Sequence, residues 1–278
     1  MSIVIGTNKS SLLAANYLSA NQTQLSNTLS SLSSGSRLTN PSTDSGGLAV
    51  SMQLTATANR DSALINTIAN AQSFLQTQNG ALQVATSIVD RISQLVAMSK
   101  DVTLTTTNTA NYNTEFSQLQ QELTTIIGAQ YNGIALFATN STSSLTVLST
   151  NDLLTSNGIS IAQLNLGDTS TTAGIGGLAG ATYTSLTSIS ATTITNFVNT
   201  IATFSATNGA EQSRLNFASQ LATNDRTSLQ SANSSISDTD IAQATTALAK
   251  WNVLVQAGTS MLTQANNSAQ TVLKLITG

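Results

Sequence analysis

The chain has 278 residues, of which 8% are charged and 4% aromatic, with one Pro, no Cys and no His. A formal net charge of −3 with scattered Lys and Arg excludes a basic nucleic-acid groove, because phosphate binding needs clustered cations. Without His and Cys, the common general base, the thiol nucleophile and the best zinc ligands are missing, so we predict no enzyme, no metal site and no cofactor. No apolar run approaches the roughly 20 residues that cross a bilayer, so no membrane segment is predicted.

The first predicted element is a helix over residues 7–34 that contains no Pro. It ends at Gly35, since glycine readily adopts the positive φ found at helix C-termini. The apolar stripe of this helix has the heptad spacing typical of a coiled coil. Its members are Leu18, Leu25 and Leu32. Residues 36–47 are rich in Ser, Thr, Asn and Gly and are predicted to be a linker.

Two further helices follow the linker. Apolar residues at steps of three and four predict a helix over 48–100, which at about 1.5 Å per residue is roughly 75 Å long. After a break at 103–113 a third helix is predicted, and it stops at 128–133. There Tyr131-Asn132-Gly133 predicts a turn.

After this turn the spacing of the apolar residues shortens. Alternation of apolar and polar residues over 136–167 predicts a β-hairpin, with its tight turn at Asn157-Gly158. Residues 169–187 are rich in Gly, Ser, Thr and Ala; their spacing does not match a dinucleotide-binding fingerprint, and we predict a short flexible surface insert. Helical periodicity resumes at Ser188, and Asp238 is predicted to cap the final helix.

The final helix carries a long apolar seam at alternating steps of three and four. It includes Leu248, Trp251, Val255, Gly258, Leu262 and Ala265. We name these six residues, with the three leucines of the first helix, the terminal seam. The shared coiled-coil period predicts that the two ends of the chain pair with each other, and we interpret the terminal seam as a polymerisation surface.

Motifs near both ends of the chain form an ordered series. Residues 29–40 and 44–51 lie near the start, whereas 237–242 and 256–266 lie near the end. The first pair resembles the N-terminal signature of bacterial flagellins and the second pair resembles their C-terminal signature. The resemblance covers roughly residues 3 to 138 and 208 to 276. The sequence departs from the family pattern where Arg is usual, at Ser31 and Ser235, and also at Thr43 and Ala269.

The resemblance implies a mainly α fold, with long antiparallel coiled-coil-like helices from both termini, a small β-hairpin region and a short variable insert. It further implies an inner coiled-coil domain of residues 1–42 plus 236–278. An outer helical domain with the hairpin is expected over 43–168 plus 188–235, and the insert over 169–187.

The resemblance also implies a function. A flagellin self-assembles into the bacterial flagellar filament for swimming motility, as a secreted, extracellular helical homopolymer. The flagellar export apparatus, a chaperone, the filament cap and hook-filament junction proteins are expected partners; Met1 to Asn8 resembles no cleavable signal peptide. In many flagellins an Arg, a Leu and a Glu are recognised by Toll-like receptor 5, and the matching residues are Arg91, Leu95 and Glu122. The alternative is a flagellin-like hook-filament junction protein.

Overall fold

The computed structural model describes residues 8–139, 143–150, 158–169, 174–180 and 182–277, with side chains described as far as residue 271. The described helices are α1 (Lys9–Ser34), α2 (Ser45–Met98), α3 (Thr106–Ile127), α4 (Ile175–Ala179), α5 (Ala191–Ser237) and α6 (Ile241–Thr277). The described strands are β1 (Gln130–Tyr131), β2 (Ile134–Ala135), β3 (Ser143–Val147) and β4 (Ile159–Gln163). The predicted mainly α fold class with a small hairpin region is confirmed.

Side-chain caps and glycine mark the helix ends. The side chain of Asn8 accepts a hydrogen bond from the Ser11 N–H at 3.1 Å and so caps α1. At the other end of α1, Gly35 has φ of 71°, the left-handed conformation that glycine adopts without steric cost. The predicted end of the first helix at Gly35 is therefore confirmed.

The cap of α6 differs from the prediction. Asp240 Oδ1 accepts hydrogen bonds from the N–H groups of Ala242 at 2.9 Å and Gln243 at 3.1 Å, so Asp240 is the N-cap. Asp238 instead accepts hydrogen bonds from the hydroxyls of Ser234 and Ser237. The prediction that Asp238 caps the final helix is wrong, because an isolated antiparallel β-bridge pairs Asp238 with Ser36.

Two antiparallel strand pairs follow α3. β1 and β2 are joined by Asn132 and Gly133 with φ of 51° and 79°, the positive values that a two-residue type I′ turn requires. β3 pairs with β4 in a register that places Leu145 opposite Ile161. Both the turn and the hairpin were predicted from sequence, although Asn157 of the proposed second turn lies outside the described residues.

The chain divides into two compact units. The terminal unit consists of Met1–Ala56 and Ser228–Gly278, and the central unit of Thr57–Thr227. The predicted inner domain falls within the terminal unit, but assignment of either unit to a filament layer stays a prediction. No helix of the described residues is long and apolar enough to cross a bilayer.

The central unit holds the apolar core. Buried side chains of α2 recur at helical spacing and meet buried residues of α3, the hairpin and α5. The completely buried members include Ile68, Leu75, Leu82, Ile92, Leu123, Leu166 and Phe197. This core supports the surface residues of the central unit.

The segment predicted as a flexible surface insert, 169–187, contains buried residues. Ile175 and Leu178 in α4 are 0% exposed. The side-chain amide of Gln120 on α3 donates hydrogen bonds to the carbonyls of Leu178 at 2.8 Å and Tyr183 at 2.9 Å. The described part of this segment therefore contributes to the core and is held by α3.

Glycine explains why the sequence pattern did not show this packing. A Cβ on Gly176 would lie 2.2 Å from the carbonyl oxygen of Gly167, a distance that real Cβ atoms do not reach. The backbones at Gly167 and Gly176 approach closely because Gly176 lacks a side chain. Glycine, which indicates a flexible loop in a sequence, here permits tight packing.

Candidate functional site

Helices α1 and α6 of the terminal unit run antiparallel beside each other. Near the start of α1, Asn8 Nδ2 donates a hydrogen bond to the carbonyl of Ala265 at 2.9 Å. Beyond the end of α1, the Thr239 N–H donates to the carbonyl of Gly35 at 2.9 Å. The early residues of α1 therefore lie beside the later part of α6, as the predicted pairing of the two ends requires.

The terminal seam lies on the faces that these helices turn toward each other. Leu18 contacts Gly258, since a Cβ built on Gly258 would lie 3.2 Å from Leu18 Cδ1. The other seam residues share these two faces by helical periodicity. All nine are half-buried: Leu18, Leu25, Leu32, Leu248, Trp251, Val255, Gly258, Leu262 and Ala265. The seam thus joins two helices of one chain.

Large apolar side chains also lie outside the terminal seam. On α1 and α6 they include Leu12 at 63% exposure, Leu13 at 47%, Tyr17 at 69%, Leu29 at 48%, Val253 at 64% and Met261 at 66%. We name these six residues the exposed apolar set. Concentrations of exposed apolar side chains are typical of interaction surfaces, and none of these six residues belongs to the terminal seam.

The paired helices carry few charges. Within α1 and residues 241–271 of α6, the charged side chains are Lys9 and Lys250. The Lys250 ammonium lies 5.1 Å from the ring centroid of Trp251. Because so little charge must be removed from water, another protein surface can approach these helices at low desolvation cost.

The central unit has an apolar groove. It has a volume of about 330 Å³ and lies between α2, the β1–β2 turn and the β3–β4 hairpin. Phe74 and Tyr131 meet edge to face in its wall with centroids 6.1 Å apart. Its other apolar lining residues are Ala71, Ile134, Leu145, Val147 and Ile161, and none of its described lining residues is charged.

The described residues contain no group of three or more His, Cys, Asp or Glu side chains able to hold a metal ion.

The helical regions at both ends of the chain are similar to those of known proteins. Residues 5–142 match the N-terminal helical region of bacterial flagellin, and residues 191–276 match its C-terminal helical region. The chain belongs to the bacterial flagellin family.

Relatives cover almost the whole chain. The flagellin of Listeria innocua is 29% identical over 284 residues, which are 98% of this chain and 99% of the relative. The flagellar filament 30.7 kDa core protein of Treponema maltophilum is 30% identical over 287 residues, 99% of this chain and 100% of the relative. As a member of this family, the protein is a structural subunit of a flagellar filament and not an enzyme.

Ser31 and Ser235, two residues that depart from the family pattern, find hydrogen-bond partners within their own helices. The hydroxyl of Ser31 donates a hydrogen bond to the carbonyl of Asn27 at 3.1 Å. The hydroxyl of Ser235 donates to the carbonyl of Ala232 at 2.8 Å. Neither position offers the charge that an arginine would bring to a contact between subunits.

The three residues matched to the receptor epitope have different environments. The Arg91 Nε lies 2.6 Å from Glu115 Oε1, and this hydrogen bond raises the pKa of Arg91. Leu95 is 0% exposed and belongs to the core. Glu122 is exposed, but it lies seven residues beyond Glu115, about 10 Å along α3. The structure therefore brings Arg91 to Glu115, a partner that the sequence analysis did not name.

Proposed function

We propose that the paired helices α1 and α6 form the assembly surface of the filament and that the exposed apolar set packs against neighbouring copies. The observation that carries this proposal is the high exposure of large apolar side chains on both helices, such as Tyr17 at 69% and Met261 at 66%. Fully burying an exposed large apolar side chain contributes about 1.5 to 3 kcal/mol, and each of these partly exposed side chains would gain part of that amount. In a monomer these side chains stay exposed to water, so this free energy is gained only on assembly.

The pairing itself supports a polymer. The terminal-seam residues of α1 pack against those of α6 within one chain, so the exposed apolar set remains available for contacts with other copies. Contacts between different faces of identical subunits do not close on themselves and generate an open helical polymer. The low charge of α1 and α6 also reduces the cost of packing many copies together.

An assembly assay tests the proposed surface. We expect Met261→Asp to remain a folded monomer but to fail to form filaments, because each contact would bury an unpaired carboxylate. Met261→Leu is the control, since it keeps a large apolar side chain at the same position; it should assemble normally. Sedimentation and electron microscopy report the yield, and full assembly of Met261→Asp would refute the proposed surface.

The filament role is favoured over the alternative of a hook-filament junction protein. The relatives reported above are named as a flagellin and a filament core protein. A filament subunit should form long filaments from purified protein, whereas a junction protein should form none. Electron microscopy of the purified chain after seeding distinguishes the two functions.

We further propose that the flagellar export apparatus, with a chaperone, delivers the chain to an extracellular flagellum, where the filament cap and hook-filament junction proteins contact it. The chain contains no Cys. This supports the proposed route, because a chain without disulfide cross-links can pass through an export channel unfolded. For Toll-like receptor 5, we propose recognition through the surface residues Arg91 and Glu122. Leu95, which is buried, would act by holding α2 in the core beneath Arg91.

A further inference from the structure

One residue of β4 has both backbone polar groups held by side chains. The Ala162 N–H donates a hydrogen bond to Glu211 Oε1 on α5 at 2.9 Å. The Ala162 carbonyl accepts one from Gln78 Nε2 on α2 at 3.3 Å. The outer edge of a two-stranded sheet has unpaired backbone groups that need partners when they are buried. Glu211 and Gln78 supply those partners in place of a third strand.

The amide side chains around this edge are well satisfied. Gln78 and Asn208 are both 0% exposed. Gln78 Nε2 also donates to the carbonyl of Leu136 at 2.8 Å. Asn208 Nδ2 donates to Gln78 Oε1 at 2.7 Å and to the carbonyl of Leu75 at 3.0 Å. This network joins α2, α5 and the hairpin within an apolar core.

Glu211 is the exception in this network. It is 8% exposed, and its Oε2 is buried without a hydrogen-bond partner among the described residues. Burial raises the pKa of Glu211, and the Ala162 hydrogen bond and the attraction of Arg214 oppose that change only in part.

Few charges act on this carboxyl group. Arg214, on the same helix as Glu211, is the charged residue that affects it. Residues 62–89 of α2 contain no ionisable side chain, and neither do β3 and β4. The carboxyl group thus lies beside elements without ionisable side chains, with one oxygen bonded and the other not.

We propose that Glu211 is a protonation-dependent latch on the β3–β4 hairpin: the closed position, in which its carboxyl group lies against Ala162, is stable while the group is neutral, and release of its proton to bulk water favours an open position in which the carboxylate reaches water. The ionised group would accept the stronger hydrogen bond from Ala162, but burial of its charge outweighs that gain. An ionised carboxylate with an unbonded oxygen in the core costs more free energy than the neutral acid.

The direction of the pH effect follows from the raised pKa. The folded state binds the proton more tightly than the unfolded state, so the contribution of Glu211 to hairpin stability is complete below the ordinary carboxyl pKa. It is lost as the pH rises through the folded pKa. Because Leu145 and Val147 of β3 also line the apolar groove, ionisation of Glu211 should loosen one wall of the groove.

The test uses the full-length monomer labelled with ¹³C and ¹⁵N. Nuclear magnetic resonance follows the Glu211 carboxyl carbon during a pH titration and measures the hydrogen-exchange protection factor of the Ala162 amide. We expect Glu211 to titrate above the ordinary Glu value of about 4.3. The Ala162 protection factor should fall by up to about tenfold per pH unit between the unfolded and folded pKa values and then level off.

Two variants separate the latch from general charge effects. Glu211→Gln keeps an oxygen acceptor for Ala162 without an ionisable group, so the fall in protection should disappear. Asp90→Asn removes an exposed carboxylate of α2 and should leave the fall unchanged. A Glu211 titration in the ordinary range would overturn the proposal, as would an undiminished fall in Glu211→Gln. If that variant does not fold, the carboxyl titration of the unmodified chain decides alone.

Discussion

Gly258 of α6 faces Leu18 of α1, and a side chain at this position would change the packing of the terminal unit. An ideal Cβ on Gly258 would lie 3.2 Å from Leu18 Cδ1, 3.6 Å from its Cβ and 3.8 Å from its Cα. A methyl group can therefore fit if the Leu18 methyl moves by a few tenths of an ångström. A leucine side chain would extend into the space that Leu18 itself occupies.

The expected magnitudes differ between the two substitutions. Gly258→Ala gains about 0.8 to 1.0 kcal/mol of helix propensity, which offsets the small contact, so assembly should be unchanged or slightly improved. Gly258→Leu has a similar propensity but overpacks the pair at a cost of about 1 to 3 kcal/mol. If assembly requires the pair, its critical concentration should rise by roughly 5- to 150-fold relative to Gly258→Ala.

Sedimentation of filaments over a range of protein concentrations measures this critical concentration. Gly80→Leu is the matched control, because Gly80 lies in α2 and its ideal Cβ has no atom within 4 Å. We expect this control to assemble like the unmodified protein. Equal critical concentrations for Gly258→Leu and Gly258→Ala would refute the idea that assembly requires close packing of α1 against α6 at Gly258.

Three further predictions concern the monomer, the receptor and the groove. Hydrogen exchange should be fast throughout α1 in the monomer and slow in the filament, because no residue of α1 is fully buried; strong protection before assembly would contradict this. Arg91→Ala should reduce activation of Toll-like receptor 5 reporter cells by monomer, whereas a response equal to that of the unmodified chain would exclude Arg91 from the epitope. Ile134, which is 42% exposed beside the groove, should be covered by a neighbouring subunit in the filament, so Ile134→Asp should lower filament yield while leaving monomer circular dichroism unchanged. An unchanged yield would show that the groove stays open.

Local chemistry made several elements predictable. The end of α1 at Gly35 and the turn at Asn132 and Gly133 depend on backbone conformations that few residues adopt easily. The hairpin followed from alternation with period two, and the pairing of α1 with α6 from seams with the same coiled-coil period. The pattern behind each of these predictions lies in neighbouring residues, although the pairing of α1 with α6 itself joins residues far apart in the chain.

Other features depend on contacts between distant residues. Asp238 and Asp240 are both suitable caps by residue type, but the backbone near Ser36 decides which of them reaches the first turn of α6. Composition indicated a flexible insert at 169–187, although Ile175 and Leu178 are buried there. The sequence alone did not show that close approach of glycine backbones would hide these apolar side chains.

The sequence by itself determined the family, the helical class and the pairing of the chain ends, because motifs and periodicity are properties of consecutive residues. Only the tertiary structure decided which side chains are exposed and which polar groups meet. It buried Leu95, paired Arg91 with Glu115, and placed Glu211 against Ala162, 49 residues away in the chain. Burial and hydrogen bonding depend on every element packed around a group, and no local pattern contains that information.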